Sequence, residues 1–511
     1  MNLHSTPEHS TKMKKQALLQ AGMLMLLALP SQANNLQMGN PTVNTGASTI
    51  SFTISWENSW NVTAGPANWD GVWLFVKRQA CSDRLWNHAL LSTNDADHAI
   101  TGGVLEVDAV TDGMGVFVRR TSAGQGNIAT ATVTLRLQTA PNAVDNFKVF
   151  GIEMVNIPQG DFIIGDGVQG WSNVNFCPQW ITAATQAAGL GVGSNYVCWN
   201  GGTGSSAPLP GTFPLGVNRF YSMKYEVSQD QYVGFLNCLT FTQQVARTAQ
   251  PPNSASGTYA LTATTPTSRN GIRIAMSGLP NSEPAVYGCD LNANGVYDEA
   301  TDGQNIACNW LAWSDLIAYL DWAALRPMTE FEYEKICRGP ASTMLANEHA
   351  WSTTALTAAN AGALTNPGAA DEVPTATGPG LCAIGSGNNA HGPLRCGFAS
   401  TASTTRIAAG AAFYGVMDMT GNVYEQTIGG WNFNYSGFTA ASGDGSLTAG
   451  GAANTTAWPP TGGNGGGGVV RGAAWNNWNG RQISARGDAI QGGPSNAGRD
   501  RSVGGRGIRN Y

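Results

Sequence analysis

Two long tracts of the chain, residues 341–410 and 428–468, are rich in Gly, Ala, Thr and Asn and follow neither a helical nor a strand period. They constrain the fold more than any other feature. A continuous helical bundle would have to run through them, and glycine loses more backbone freedom on ordering than any other residue. Loops of that length within a compact chain need a rigid scaffold on either side, and such loops are where binding sites usually sit. With 65 glycines in 511 residues, the composition leans the same way.

The periodic segments fall into two regions. Residues 34–145 read as an all-β domain. Residues 49–56 alternate polar and apolar, residues 72–76 (Val-Trp-Leu-Phe-Val) form a continuous run of the buried-strand type, and residues 115–118 and 131–137 follow after turn clusters. Such spacing predicts an immunoglobulin-like β-sandwich, with residues 139–145 as a linker. From Phe147 onward, short strands mix with helices in an α+β pattern. Residues 226–239 carry Val227, Tyr232, Phe235 and Leu236 near helical spacing. Residues 313–325 do likewise, with Ser314 as N-cap. A third helix opens at Thr329, with Glu332 completing a capping box.

At the N-terminus, Met13-Lys14-Lys15 precedes the apolar run 21–29, Pro30 and the small-x-small triplet Ser31-Gln32-Ala33. The reading is a secretory signal peptide, residues 1–33, which places the mature chain outside the cell or on its surface. The run is too short to cross about 30 Å of hydrocarbon, and no later segment is long and apolar enough to span. Lys and Arg total 27 against 33 Asp and Glu, a net −6, which excludes nucleic-acid binding driven by bulk positive charge.

Export changes how cysteine reads. Eight of the nine cysteines follow residue 150, and an oxidising compartment permits four disulfides. The local pairs are Cys177–Cys198, Cys289–Cys308 and Cys382–Cys396, with Cys238 and Cys337 left to each other and Cys81 single. Zinc finds no CxxC or paired-histidine spacing. Between two of these cysteines, Asp290, Asn292, Asn294 and Asp298 stand at positions 1, 3, 5 and 9, with Gly295 at 6 and the Val296 carbonyl at 7. This is the oxygen spacing of an EF-hand calcium loop. Position 12 is Thr301, so Glu299 or Asp302 would have to close the site.

Five blocks carry a family resemblance, in family order: residues 150–162; Lys224-Tyr225-Glu226-Val227-Ser228 with Tyr232; Arg326-Pro327-Met328-Thr329-Glu330 with Glu332 and Glu334; Asp418-Met419-Thr420-Gly421-Asn422-Val423-Tyr424-Glu425; and Arg471-Gly472-Ala473-Ala474-Trp475 with Gly505-Arg506-Gly507-Ile508-Arg509. Residues 146–511 thus resemble the formylglycine-generating enzyme (sulfatase-modifying factor) family. The resemblance implies a C-type-lectin-like α+β domain with long loops behind the β-sandwich. It also implies structural calcium held by Asp418, the Gly421 and Val423 carbonyls, and Glu425. The family's copper-dependent oxidases carry a reactive cysteine pair just after the Arg-Gly-Gly-Ser strand. Here that stretch is Trp475-Asn476-Asn477-Trp478-Asn479-Gly480-Arg481, and no cysteine follows Cys396. Cuprous ion prefers thiolate ligands, so copper is not expected. His88, His98, His349 and His391 lack the paired spacing of an iron-binding branch, so iron is not expected either.

Residues 469–511 hold seven arginines, two aspartates and no lysine. They resemble the variable region, here 471–509, of proteins diversified by retroelements on this same fold. Trp475, Asn476, Asn477, Trp478, Asn479, Gly487, Asp488, Ile490, Asp500, Arg501, Ser502 and Val503 sit where ligand-binding positions would fall. The function expected is an exported, non-catalytic binding protein for an extracellular protein or glycan. The alternatives are a metal-dependent oxidoreductase with relocated ligands and a structural surface-layer or matrix subunit.

Overall fold

A computed structural model describes residues 35–511, apart from 82–84, 168–173, 192–196, 200–201, 204–207, 265–266, 341–342, 360–362, 386–391, 402–403, 430–435, 461–466 and 485–497. The expected signal peptide lies outside the described residues. No helix among those described is long and apolar enough to cross a membrane.

The architecture is mixed α+β, mostly strands with a few short helices. The strands that carry the argument are β1 (Thr49–Asn61), β2 (Asp70–Gln79), β3 (Leu105–Ala109), β4 (Val116–Arg120), β5 (Gly124–Arg136), β6 (Asn146–Ile157), β7 (Phe220–Met223), β8 (Arg326–Thr329), β9 (Tyr424–Ile428), β10 (Gly468–Arg471), β11 (Val503–Gly504) and β12 (Gly507–Asn510). A five-stranded sheet is built around the β1–β5 pair. An eleven-stranded sheet runs β10-β9-β8-β12-β7-β6-β2-β4-β3, with β11 alongside β9 and the short strand Trp86–Ala89 alongside β2. Its pairs are antiparallel except β8–β9 and β9–β11.

The apolar run in β2 has a direct cause. Val72, Leu74 and Val76 face one core, shared with Ile50, Phe52, Ile54 and Trp56 of β1. Trp73 and Phe75 face a second core, shared with the helices. A strand covered on both faces cannot alternate with polar residues. Each such side chain gains about 1.5–3 kcal/mol on leaving water. Position 145/146, where a domain boundary was expected, opens β6, which pairs with β2 from Asn146↔Gln79 to Val155↔Asp70. The large sheet is therefore continuous across that position, and β2 and β6 serve both regions.

Three helices pack on this frame: α1 (Gln229–Leu236), α2 (Trp313–Trp322) and α3 (Glu330–Arg338). The expected span 226–239 shortens to α1 because Ser228 caps it, accepting from the Gln231 N–H. Ser314 is not the cap of α2. Ala312 stands at that position, and its N–H donates to Asp315 Oδ2 at 3.0 Å. Thr329 and Glu332 form the expected capping box on α3.

The cysteines depart from expectation. Cys238, Cys289, Cys308, Cys337, Cys382 and Cys396 are free and buried, and Cys81 is free and exposed. Burial pushes the six buried thiols above the usual thiol range. Two expected pairs fail because their members occupy different cores: Cys238 lies with the α1–α2 cluster and Cys337 with another, while Cys382 and Cys396 are likewise separated. Cys289 and Cys308 share a core but remain thiols. Cys177 is disulfide-bonded. The Cys198 side chain lies outside the described residues, so the pairing with Cys198 does too.

Candidate functional site

The turn 418–425 is the foundation of the C-terminal face. Asp418, Gly421 and Asn422 all have left-handed backbone, with φ of +60°, +91° and +63°. Two of the three are non-glycine residues, and surrounding bonds hold them there. The Asn422 N–H donates to the Ala383 carbonyl at 2.7 Å. Its side chain accepts from the Leu394 N–H at 2.8 Å and donates to Glu226 Oε2 at 2.6 Å. A Cβ on Gly421 would lie 2.4 Å from the Ala383 carbonyl oxygen, so only glycine fits. The turn then ties down the next segment: the Gly421 N–H reaches the Gly472 carbonyl at 2.7 Å, and the Trp475 N–H reaches the Asn422 carbonyl at 2.8 Å.

Three buried carboxylates bond to this turn or project from it. Glu226 Oε1 accepts from the Val423 N–H at 3.0 Å, and Asp418 Oδ2 from the Gly397 N–H at 2.6 Å. Glu425 Oε1 accepts from Arg506 Nε at 2.6 Å. Burial raises the pKa of all three, and for Glu226 the charges of Asp418 and Glu425 raise it further. Glu425 Oε2 is buried without a hydrogen-bond partner. Of the calcium ligands expected here, Asp418 and Glu425 are thus brought to one turn with the Gly421 and Val423 carbonyls. Arg506 engages one Glu425 oxygen, and the second is buried without a hydrogen-bond partner. Among the described residues, no group of three or more His, Cys, Asp or Glu side chains is gathered as a metal-holding cluster.

Helix α3 supplies a second, ionic foundation. Arg471, at the end of β10, bonds Glu330 Oε1 and Glu334 Oε1, each at 2.9 Å. It also donates to the Ile483 carbonyl at 2.5 Å. Arg338 continues the chain to Glu334 at 3.1 Å, Glu348 at 2.5 Å and Ser484 Oγ at 2.8 Å. The loop that leaves β10 at Arg471 is therefore fastened again at Ile483 and Ser484 by the same buried network. The helical spacing of Glu330, Glu334 and Arg338 puts all three on one face of α3, toward β10.

Above these foundations, segments 475–481 and 500–503 meet. The Trp475 indole N–H donates to the Arg501 carbonyl at 3.0 Å, and Asn309 Nδ2 donates to the same oxygen at 2.8 Å. Arg499 is held by Asp315 at 2.8 Å. Trp478 is 39% exposed, with the Arg481 guanidinium 5.6 Å from its ring. Asp500 and Arg501 are exposed, and Asn476, Asn477 and Asn479 half-buried. Trp475, Ser502 and Val503 are buried. They support the face rather than offering themselves to a ligand, a correction to their expected role. Trp475 is fixed by its bond to Arg501, Ser502 hydrogen-bonds Asp500, and Val503 is a strand residue paired with Tyr424. Gly487, Asp488 and Ile490 lie outside the described residues.

The second expected metal group, Asp290, Asn292, Asn294, Val296 and Asp298, forms one loop in which Asp290 is buried and Asn292, Asn294 and Val296 are exposed. Sequence reasoning gave no role to Glu226 or to the Lys224–Asp70–Glu153 triad. Lys224 Nζ lies 3.1 Å from Asp70 and 3.0 Å from Glu153, joining β2, β6 and the residue after β7. The signal for both was present in Lys224-Tyr225-Glu226, two charges next to a buried aromatic.

The model of the sulfatase-modifying factor enzyme 1-like domain matches residues 152–511. No curated protein matches the chain.

Proposed function

The chain belongs to the sulfatase-modifying factor enzyme 1-like family, and from that premise we propose that it is an exported, surface-displayed binding protein whose C-terminal face meets an extracellular protein or glycan without chemistry. Members of the family are usually enzymes, so the proposal rests on one observation. The stretch after β10, where the resemblance puts the oxidases' reactive cysteine pair, reads Trp475-Asn476-Asn477-Trp478-Asn479-Gly480-Arg481, and no thiol follows Cys396. The free cysteines of the matched domain are buried thiols with raised pKa, and a buried thiol is neither a nucleophile nor a ready metal ligand.

The frame suits binding. A loop fastened at Arg471 and at Ile483 loses less entropy when a partner docks. Trp478, Arg481 and Arg501 are of the types that anchor interfaces. Calcium at Asp418, Gly421, Val423 and Glu425 would stiffen the turn beneath, and Glu425 Oε2, buried without a partner, fits that reading. The C-terminal stretch fits a diversified surface of the retroelement kind. The test is sequencing of this coding region across isolates. Substitutions should concentrate at 476, 477, 479, 488, 490, 500 and 501, while Arg471, Trp475 and Arg506 stay fixed. Even scatter along the C-terminal region, or turnover of a cysteine-bearing peptide by the purified chain with copper, would overturn the proposal.

A further inference from the structure

We propose that residues 290–302 form a calcium site closed by Asp302, independent of the C-terminal face. The loop enters from a two-stranded sheet ending at Cys289. It is fixed at its mouth, where Asp298 N–H donates to the Cys289 carbonyl and Cys289 N–H donates to Asp298 Oδ1, both at 2.8 Å. Within it, the oxygens at positions 1, 3 and 5 face inward. Asp290 Oδ1 accepts from the Asn294 N–H at 3.0 Å and its Oδ2 from the Gly295 N–H at 3.3 Å. Asn292 Oδ1 accepts from the Asn294 N–H at 2.9 Å, and Asn294 Oδ1 from the Val296 N–H at 2.7 Å. Gly295, at position 6, has φ +83°, the conformation the sharp turn of such a loop demands.

The sequence lacks an acid at position 12, and the structure assigns its replacement. Glu299 is exposed and takes the Asn294 amide at 2.6 Å. Asp302 is buried, with Oδ2 on the Glu299 N–H at 2.9 Å and Oδ1 buried without any hydrogen-bond partner. The chain at 302–303 folds back on the start of the loop: a Cβ on Gly303 would lie 3.2 Å from the Leu291 side chain. Asp302 also sits within electrostatic reach of Asp290, Asp298 and Glu299. A carboxylate oxygen buried without a partner, as Asp302 Oδ1 is, is an expensive arrangement without a cation. Among the described residues, the ion pair that reaches this group is Arg273 to Asp290, at 3.6 Å. Asp290 and Asp302 form a buried floor, while Asn292, Asn294 and the Val296 carbonyl form an exposed rim through which an ion enters. Oxygen-only ligands of this number favour calcium over magnesium, which prefers to keep its water.

The test uses the full chain stripped with EDTA and titrated with calcium chloride by calorimetry. Terbium provides a second probe, its luminescence excited through Tyr297 in the loop. The parent should bind calcium in the range of extracellular modules, roughly 10⁻⁴–10⁻³ M. Asp290→Asn and, separately, Asp302→Asn should each weaken this event at least tenfold and quench the terbium signal. Asp418→Asn should leave the terbium signal intact. Near-UV circular dichroism in EDTA shows whether each variant keeps its fold. A parent that takes up no calcium, or an Asp302→Asn variant that binds calcium and terbium as the parent does, overturns the proposal.

Discussion

Arg471→Met should loosen the C-terminal face more than any other single change at its base. The guanidinium is buried and serves Glu330, Glu334 and the Ile483 carbonyl at once. Three buried glutamates (330, 334 and 348) share two arginines (338 and 471), a local charge of 2 − 3 = −1 that becomes −2 without Arg471. Methionine fills much of the volume but leaves the carboxylates short of a counter-charge and the Ile483 carbonyl short of a donor. Removing one partner of a buried pair costs about 3–5 kcal/mol. The assay is equilibrium unfolding in urea, followed by tryptophan fluorescence. Adding Glu330→Gln removes the stranded charge, and the double variant should regain at least about 1 kcal/mol, the non-additivity expected of contacting residues. Arg471→Lys should fall between, because one ammonium cannot fork between two carboxylates. If Arg471→Met loses under about 1 kcal/mol, or if Glu330→Gln adds to the loss, the buried network does not hold the loop.

Three further outcomes are expected. Gly421→Ala forces a Cβ to 2.4 Å from the Ala383 carbonyl at a φ of +91°; it should cost about 1–3 kcal/mol in urea unfolding and alter the near-UV spectrum. Of the seven cysteines described as free, Cys81 should react fast with Ellman's reagent in the native chain and the six buried thiols only in guanidinium; fewer than seven thiols after unfolding without reductant would restore the disulfide reading. Burial holds Lys77 down to about 7 from 10.5, so across that window the unfolded chain carries one more proton and stability rises with pH by about 1.4 kcal/mol per unit, falling as pH drops through 7. Lys77→Met should remove that slope, flattening the gain between about pH 7.5 and 9.5 by roughly 2–3 kcal/mol, as read from urea midpoints at each pH.

The period-two pattern located β1, and short apolar runs between turn clusters located β2, β4 and β5, because both are local properties of the chain. Whether β2 and β6 belong to one region or two was not legible, since a continuous apolar run says only that both faces are covered, not by what. Thr329 and Glu332 announced the α3 cap because a capping box is built within four residues. Ala312 was hidden as the cap of α2 because alanine has no side-chain acceptor, and the bond is made instead by Asp315, three residues on. Cysteine spacing misled as well. Cys382 and Cys396 are near in sequence but face different cores, and loop length carries no information about which way a side chain points. Trp475 reads as an exposed anchor from composition, yet its ring is buried and its indole N–H is taken by the Arg501 carbonyl.

The sparse charge of this chain acquires a meaning from where it lies. Charged residues are 12% of the total, yet Glu226, Glu330, Glu332, Glu334, Glu425, Arg326, Arg338, Arg471 and Arg506 are all buried. Buried ion pairs add little net stability over well-packed apolar groups, but they punish any misplacement of either partner. Arg326 forks onto Glu332 at 2.7 and 3.1 Å and onto Asn510 of β12; Arg471 ties β10 to α3; Arg506 ties the segment before β12 to Glu425 of β9. The Arg326–Asn510, Arg471–Glu330 and Arg506–Glu425 bonds each join segments far apart in sequence, and each fixes a register that the glycine-rich loops between them cannot. Under the proposed function such a base is what the C-terminal face requires, because its geometry then comes from groups that no change at positions 476, 477, 479, 500 or 501 would touch.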